Sequence, residues 1–276
     1  MRRLLFIAAI VALTTTGCTP LTWPEQPDPV PTPSRSGFVF ADNMAAAAYA
    51  LPVTRCSGPR HLSTAAQAPA HGPHGSINAT GSTTVALTFD DGPDPVHTPQ
   101  MLDVLAACGV KATFCLIGNK VQRYADIVRR IVAEGHTLCN HSWQHNTQLG
   151  TYGWGPIYDD LSRTNNAIHS VVPDAPIPYF RAPGGAWTSD YVAVAQALGM
   201  TSLNWDVDPW DWNFNVNGRG EAMTVHIVDH VRAHTRPGSI ILSHDNQKPD
   251  TVEAFRRLLP WLTAHFDLIA LPTTLT

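Results

Sequence analysis

From Thr84 onward the chain repeats one alternation, a short apolar run followed by a turn and a longer amphipathic stretch. The runs are VALTF, KATFCLIG, HTLCN, YFRAP, TSLNWDV, SIILSH and FDLIAL. Helical patterns separate them. Thr98-Pro99, an N-cap with proline at the first helical position, opens one that closes at Gly109, and the next ends at Gly135. Others are expected around Tyr158 to Ser170, Ser189 to Leu198, Glu221 to His234 and Thr251 to Ala264. A strand that returns parallel to its predecessor needs a crossover about the length of a helix, so this order dictates a parallel sheet covered by helices. So many units in roughly 190 residues predict an α/β barrel rather than an open sheet, in one domain spanning 84–276.

The residues upstream have another texture. Met1-Arg2-Arg3 is a short positive region, Leu4 to Leu13 is apolar but too short for a membrane span, and small residues lead to Cys18. Residues 1–18 therefore read as a signal peptide. TTTGC resembles a bacterial lipobox, in which Cys18 would be lipidated; Thr15 stands where leucine is usual, which keeps plain secretion as the alternative. Three acyl chains on Cys18 would anchor the protein stably. The expected location is the outer face of the cytoplasmic membrane or the cell envelope, as a lipoprotein. Residues 19–83 are rich in Pro, Ala, Ser, Thr and Gly and read as a tether.

A charged fraction of only 14% and 23 prolines suit an exported protein, and a net charge of −4 gives no electrostatic footprint for nucleic acid. With Cys18 lipidated, Cys56, Cys108, Cys115 and Cys139 remain. An even number in an exported chain favours disulfides, and without a Cys-x-x-Cys pair a thiolate zinc site is not expected. Cys115 and Cys139 each sit in a predicted strand before a turn, which favours their pairing.

Chemistry concentrates at the strand ends, where such folds build their sites. In LTFDDGPDP, Asp90 and Asp91 are adjacent, although consecutive strand residues face opposite ways. The Gly92-Pro93 step ends the strand and lets both carboxylates reach one pocket. HSWQH puts His141 and His145 four apart, a chelating pair if they share one helical turn, with Asp91 as a third, carboxylate ligand. Two imidazoles and one carboxylate leave coordination positions open, as a catalytic metal requires. The pairs His226/His230 and His230/His234 share that spacing but precede a strand, on the outer ring of the barrel, and read as a solvated or half-buried stripe. In YFRAPGG, Arg181 could grip a carboxylate such as Asp90 bidentately, and the Gly184 amide could donate to a developing oxyanion. WDVDPWDW interleaves three acids with three tryptophans, which suits a sugar-binding cleft, and ILSH places His244 at another strand end.

TFDDGP, HSWQH, RAPGG, DPWDW and LSH, in this order, resemble the five motifs of the polysaccharide deacetylase family, also called the NodB-homology domain or carbohydrate esterase family 4. The resemblance covers about Thr84 to Leu271. It implies a distorted (β/α) barrel and a metal-dependent hydrolase that removes N-acetyl groups from an N-acetylated polysaccharide. It further implies that Asp91, His141 and His145 bind one divalent ion, zinc by donor type, with cobalt, nickel or iron as alternatives. Asp90 is then the base, positioned by Arg181. His244 is the acid that protonates the departing amine, oriented by Asp211 with Asp208 as the fallback, and Trp212 and Leu242 line the acetyl pocket. One departure stands out: many members carry an aromatic residue where this chain has Gly184. Peptidoglycan amino sugars are the expected substrate for a cell-anchored monomer. Chitooligosaccharide N-deacetylation and acetylxylan O-deacetylation stay open, and a silent carbohydrate-binding lipoprotein is the reading from another class.

Overall fold

A computed structural model of the chain describes Cys56, Gly58, Ala68 and residues 70–274. The signal peptide and lipobox expected over residues 1–18, and most of the tether expected over 19–83, lie outside the described residues. The elements are β1 (Val85–Asp90), α1 (His97–Ala107), β2 (Thr113–Leu116), α2 (Gly118–Val121), α3 (Ala125–Ala133), β3 (Thr137–Asn140), α4 (Trp154–Val171), β4 (Tyr179–Phe180), α5 (Ser189–Ala197), β5 (Thr201–Ser202), α6 (Phe214–Asn217), α7 (Glu221–His234), β6 (Ile240–His244), α8 (Pro249–His265) and β7 (Leu268–Ile269).

The strands form one curled, wholly parallel sheet in the order β5-β4-β3-β2-β1-β6. The result is a half-barrel. Its two edges, β5 and β6, face each other across a seam bridged by Ile77–Leu203, Ala79–Ser239 and Val207–Ile241. This seam explains why TSLNWDV yields a strand of only two residues. Its first part pairs with β4, but Asn204 N–H turns to the Ile77 carbonyl, and Val207 then crosses to β6. β7 pairs with the first residues of β1, on the edge that β2 occupies further along, because β6 fills the other edge from Ala86 to Asp90.

The packed unit begins ahead of the Thr84 boundary read from composition. Ser76 is fully buried, Asn204 Nδ2 donates to Asn78 Oδ1 at 2.6 Å, and Ala68 N–H reaches the Pro237 carbonyl at 2.9 Å. Composition misleads at this point because hydrogen bonds, not apolar burial, hold these small polar residues across the seam.

Alternation along each strand divides the core in two. Leu87, Phe89, Phe114, Leu116, Phe180 and Ile241 point outward into the large apolar layer beneath the helices. Ala86, Cys115, Cys139, Tyr179, Leu203 and Ile240 point inward and form a smaller cluster with Leu271. Asp90 is in register with Cys115 on one side and His244 on the other, so both chemical groups belong to the top inward row. Cys115 and Cys139, register partners on β2 and β3, are joined as a disulfide, and Cys56 is joined to Cys108. Phe89 packs between Phe114, tilted against it, and Phe255, edge-on, with ring centroids at 5.3 and 5.0 Å. Phe89→Ala should therefore cost about 3–5 kcal/mol, read as a fall in the denaturant midpoint. A loss below ~1 kcal/mol would mean that this aromatic cluster does not anchor β1.

Candidate active site

The two adjacent aspartates come together through the backbone of the second. Asp90 is the last residue of β1 and points inward, whereas Asp91 already has φ +73, a left-handed conformation that aspartate tolerates better than most residues. The chain reverses at Asp91 itself, one residue before the glycine. Both carboxylates line one cavity of about 290 Å³.

His141 follows β3 directly, and the reach from His141 to His145 is a tight turn rather than the helical turn expected. Ser142 and His145 have φ of +63 and +58, and the imidazole centroids lie 5.0 Å apart. Asn140 Oδ1 accepts the Ser142 N–H, Ser142 Oγ accepts the His145 N–H, and Asp160 on α4 accepts the Trp143 N–H. Three side-chain acceptors thus hold a loop with no regular ladder. His141 Nε2 and His145 Nε2 each lie 3.5 Å from Asp91 Oδ1. The three ligand atoms lie within 4.8 Å of one another, and among the described residues this is the one group of three or more such side chains so arranged.

These residues fit a divalent cation on two observations. Asp91 Oδ1 is buried without a hydrogen-bond partner, an arrangement that costs free energy unless something positive lies against it. His141 Nδ1 lies 2.9 Å from the Arg181 carbonyl. Its proton is fixed there, which leaves the Nε2 lone pair for a metal. Burial holds His141 below its usual pKa against the pull of Asp90 and Asp91, so the imidazole is neutral. Burial opposes charge on Asp91 too, but the cations around it, His244 foremost and Lys120 among them, hold that carboxyl below its usual range.

Arg181, fully buried, donates from one guanidinium nitrogen to Asp90 Oδ1 at 2.7 Å and to Thr88 Oγ1 at 2.8 Å. The grip is single rather than bidentate, because Nε and the other terminal nitrogen donate to the Leu203 and Asn204 carbonyls. Those bonds tie the arginine across the strands and aim Asp90 into the cavity.

On the neighbouring strand, His244 Nδ1 donates to Asp211 Oδ1 at 2.6 Å, and the His244 N–H donates to Asp211 Oδ2 at 2.9 Å. Thr251 Oγ1 donates to Asp211 Oδ2, and Lys248 Nζ to the Asp211 carbonyl. Burial disfavours the imidazolium, yet Asp211 outweighs it, helped by Asp91 and Asp90, and raises the His244 pKa to about 9. Asp211 is correspondingly held below its usual range: burial raises it, but His244, Lys248 and Thr251 prevail. Asp208 makes no hydrogen bond to His244. It accepts the Trp210 N–H at 2.7 Å and Trp212 Nε1 at 3.4 Å, and so shapes the loop. Asp206 is taken up by Arg236 and Ser239.

Gly184, Trp212 and Leu242 line the same cavity, joined by Trp205, the first tryptophan of WDVDPWDW. Gly184 has φ +60, and a Cβ there would meet Thr147 Cγ2 at 3.0 Å, so in this loop the position resists any side chain. Sequence reading missed Asn140, Asp160, Lys120 and Thr251. Asn140 carried one signal, its place beside His141 at a strand end. Thr251, far along the chain from Asp211, carried none. The competing histidines His226, His230 and His234 run along α7 with Trp210 packed on the first two, and they stand outside the ligand group.

Residues 77–203 match the family model for polysaccharide deacetylase. A chitooligosaccharide deacetylase of Sinorhizobium fredii is 39% identical over 197 residues, which is 67% of this chain and 88% of that protein. A peptidoglycan-N-acetylglucosamine deacetylase of Bacillus cereus is 34% identical over 182 residues, 64% of this chain and 81% of its own length. Among solved structures, the family 4 carbohydrate esterase from Streptomyces lividans in complex with acetate aligns with a TM-score of 0.60 and 31% identity, over 68% of this chain and 91% of that one. The matched region runs from β1 through β5, which supply the paired aspartates, the two histidines and the buried arginine, and on this footing the chain belongs to the polysaccharide deacetylase family of metal-dependent hydrolases.

Proposed function

We propose that the protein removes N-acetyl groups from amino sugars of an extracellular glycan, peptidoglycan foremost, using a zinc ion held by Asp91, His141 and His145. One observation carries the reading. A carboxylate fixed by a buried arginine, a ligand trio with an unpartnered buried oxygen, and an imidazole paired with a buried aspartate all face a single cavity.

A divalent ion bound by the trio would supply an acidified water and positive charge for the substrate carbonyl. Asp90 takes a proton from the attacking water, and Arg181, a positioning residue, keeps its carboxylate turned inward. His244, charged at neutral pH through Asp211, protonates the amine, which leaves poorly without that proton. Trp212 and Leu242 enclose the acetyl methyl and exclude water around it. Zinc suits two imidazoles and one carboxylate; cobalt, nickel and iron accept the same donors. Release of acetate from peptidoglycan, chitooligosaccharide and acetylxylan, measured side by side, tests the substrate. Release from acetylxylan alone would replace the N-deacetylase reading with an O-deacetylase one.

A catalytically silent scaffold is the second reading, since a solved structure aligned with this chain at 28% identity is a mutant of a family 4 pseudoenzyme. The intact base, trio and acid speak against it here, and acetate release from any of the three glycans overturns it.

The pairing of His244 with Asp211 makes a pH prediction. An acid must be protonated to act, and Asp211 is what keeps a buried His244 charged up to about pH 9. Without that carboxylate burial prevails and the pKa falls. Asp211→Asn, metal-loaded, should shift the alkaline limb of kcat/KM down by about one pH unit or more relative to the metal-loaded parent. A limb that does not move would remove Asp211 from this role. The imidazolium also contributes stability that is full below the usual histidine pKa of 6.5 and lost as pH rises through about 9.

Export as a lipid-anchored monomer completes the reading. Its supports are the leader, the cysteine of TTTGC and two disulfides, which persist in oxidising compartments. Cys18→Ser should release the protein from the membrane fraction with unchanged specific activity. Continued membrane association would overturn the anchor.

A further inference from the structure

A second cavity, of about 500 Å³, lies on the far side of the loop that follows β1, with Asp94, Asn119, Lys120, Arg123, Asn246 and Gln247 in its lining. It shares two loops with the catalytic cavity. In the loop after β1, Asp91 faces the catalytic side and Pro93-Asp94 the other. At the end of β6, His244 faces the catalytic side, and Asn246-Gln247 in the loop that follows face the other. The two linings therefore meet at these loops, on opposite faces of the Asp91–Asp94 and His244–Gln247 segments.

The lining is polar and carries two cations, Lys120 and Arg123. Lys120 Nζ donates to the Asp91 carbonyl at 2.7 Å, which uses one of its three donors. Arg123 lies over the Tyr124 ring at 5.3 Å and forms no salt bridge among the described residues, whereas Lys120 sits in the field of Asp91, Asp245 and Asp94 with two donors still free of a hydrogen bond to the described residues. The one acid in the lining is already engaged. Asp94 Oδ1 accepts the Val96 and His97 N–H groups at 3.0 and 2.7 Å and lies 2.8 Å from His97 Nδ1, so its charge is spent at the start of α1. Asn119, Asn246 and Gln247 add amide donors. Two cations with amide donors form a receptor for a carboxylate, an unexpected feature in a chain whose net charge is −4.

We propose that this cavity is a subsite for a carboxylate borne by the glycan beside the acetyl group that is removed, so that the preferred substrate is an acidic N-acetylated glycan rather than a neutral one. The inference rests on the deacetylase reading and narrows its substrate. The carboxylate can come from two sources: an acid ether on the sugar ring itself, or the free end of a short peptide amide-linked to it.

The test compares kcat/KM for acetate release from four tetrasaccharides of equal length. One is neutral N-acetylglucosamine throughout. The second alternates it with a sugar bearing a lactyl ether acid. The third carries that acid as its methylamide, and the fourth carries it linked to a dipeptide with a free C-terminus. The parent enzyme should prefer a free acid over both uncharged glycans, and that preference should shrink at high salt. Arg123→Glu should lower the acid-to-neutral ratio about tenfold. Because Arg123 is exposed, that variant should fold, and Arg123→Lys should restore much of the ratio. Preference for the second glycan assigns the subsite to the ring acid, and preference for the fourth assigns it to the peptide end. An unaltered ratio in Arg123→Glu, or a parent that favours the neutral glycan, overturns the subsite while leaving the deacetylase intact. Acetate from none of the four overturns the deacetylase reading and the subsite with it.

Discussion

Replacing Asp91, His141 or His145 by alanine is expected to leave the purified protein without its divalent ion and without activity. Each supplies one of three ligand atoms, and a site of two ligands loses affinity beyond the roughly 10–100-fold that loss of a ligand's supporting hydrogen bond costs. Elemental analysis after dialysis reads the metal independently of turnover. His230→Ala is the control, because His230 belongs to both competing pairs yet packs against Trp210 and His234 on α7, away from the trio. If His230→Ala stripped the metal while His141→Ala kept it, the ligand assignment would be wrong. His141→Ala should also free the Arg181 carbonyl, which loses its imidazole donor. All three variants should lose the stabilisation that a bound ion gives the folded state, and His141→Ala should lose more thermal stability than the metal-free parent.

The second large effect separates two proton transfers that act on one substrate. Asp90→Asn preserves shape but removes the base, so metal should stay bound while turnover falls about a hundredfold or more. His244→Ala should retain metal as well, since His244 is paired with Asp211 and is not a ligand. Its penalty depends on what leaves. An amine departs only when protonated, whereas the phenolate of an activated aryl acetate departs unaided. His244→Ala should therefore lose far more kcat/KM on an N-acetyl glycan than on an aryl acetate, while Asp90→Asn loses comparably on both. Equal losses for His244→Ala on the two substrates would exclude it as the acid.

Much of this site was legible because chain order and spacing carry it. Seven apolar runs alternating with helical patterns require parallel strands, and parallel strands put their C-terminal ends on one side. Asp90, Asp91, His141, Arg181 and His244 all sit at such ends, so a local reading of each strand's last residue was enough to bring them to one face. The bidentate arginine was misread for a tertiary reason. Nothing in YFRAPGG reveals that the Leu203 and Asn204 carbonyls, which drift out of the β5 ladder, would claim two of its nitrogens. The helical His141–His145 turn was misread because a four-residue spacing fits a helix and a tight loop equally. Backbone geometry at Ser142 and His145 chose the loop, with Asp160 of α4 holding it.

Sequence alone determined which side chains have chemistry to offer and which strand end each occupies, because hydrophobic periodicity and turn residues act over a few neighbouring positions. It also determined the solvated or half-buried stripe on α7, since a strand follows that helix and the site lies at the other end. Only the tertiary structure decided who touches whom across the seam. It chose Asp211 over Asp208 for His244, drew residues 70–83 into the packed unit, and brought Thr251 and Lys248 to Asp211. It also set Lys120, bonded to the Asp91 carbonyl, and Arg123 in one lining beside the catalytic loop. Such contacts join residues that are distant along the chain. A hydrogen bond or ion pair between them depends on where the curled sheet places each loop, and no local pattern encodes that distance.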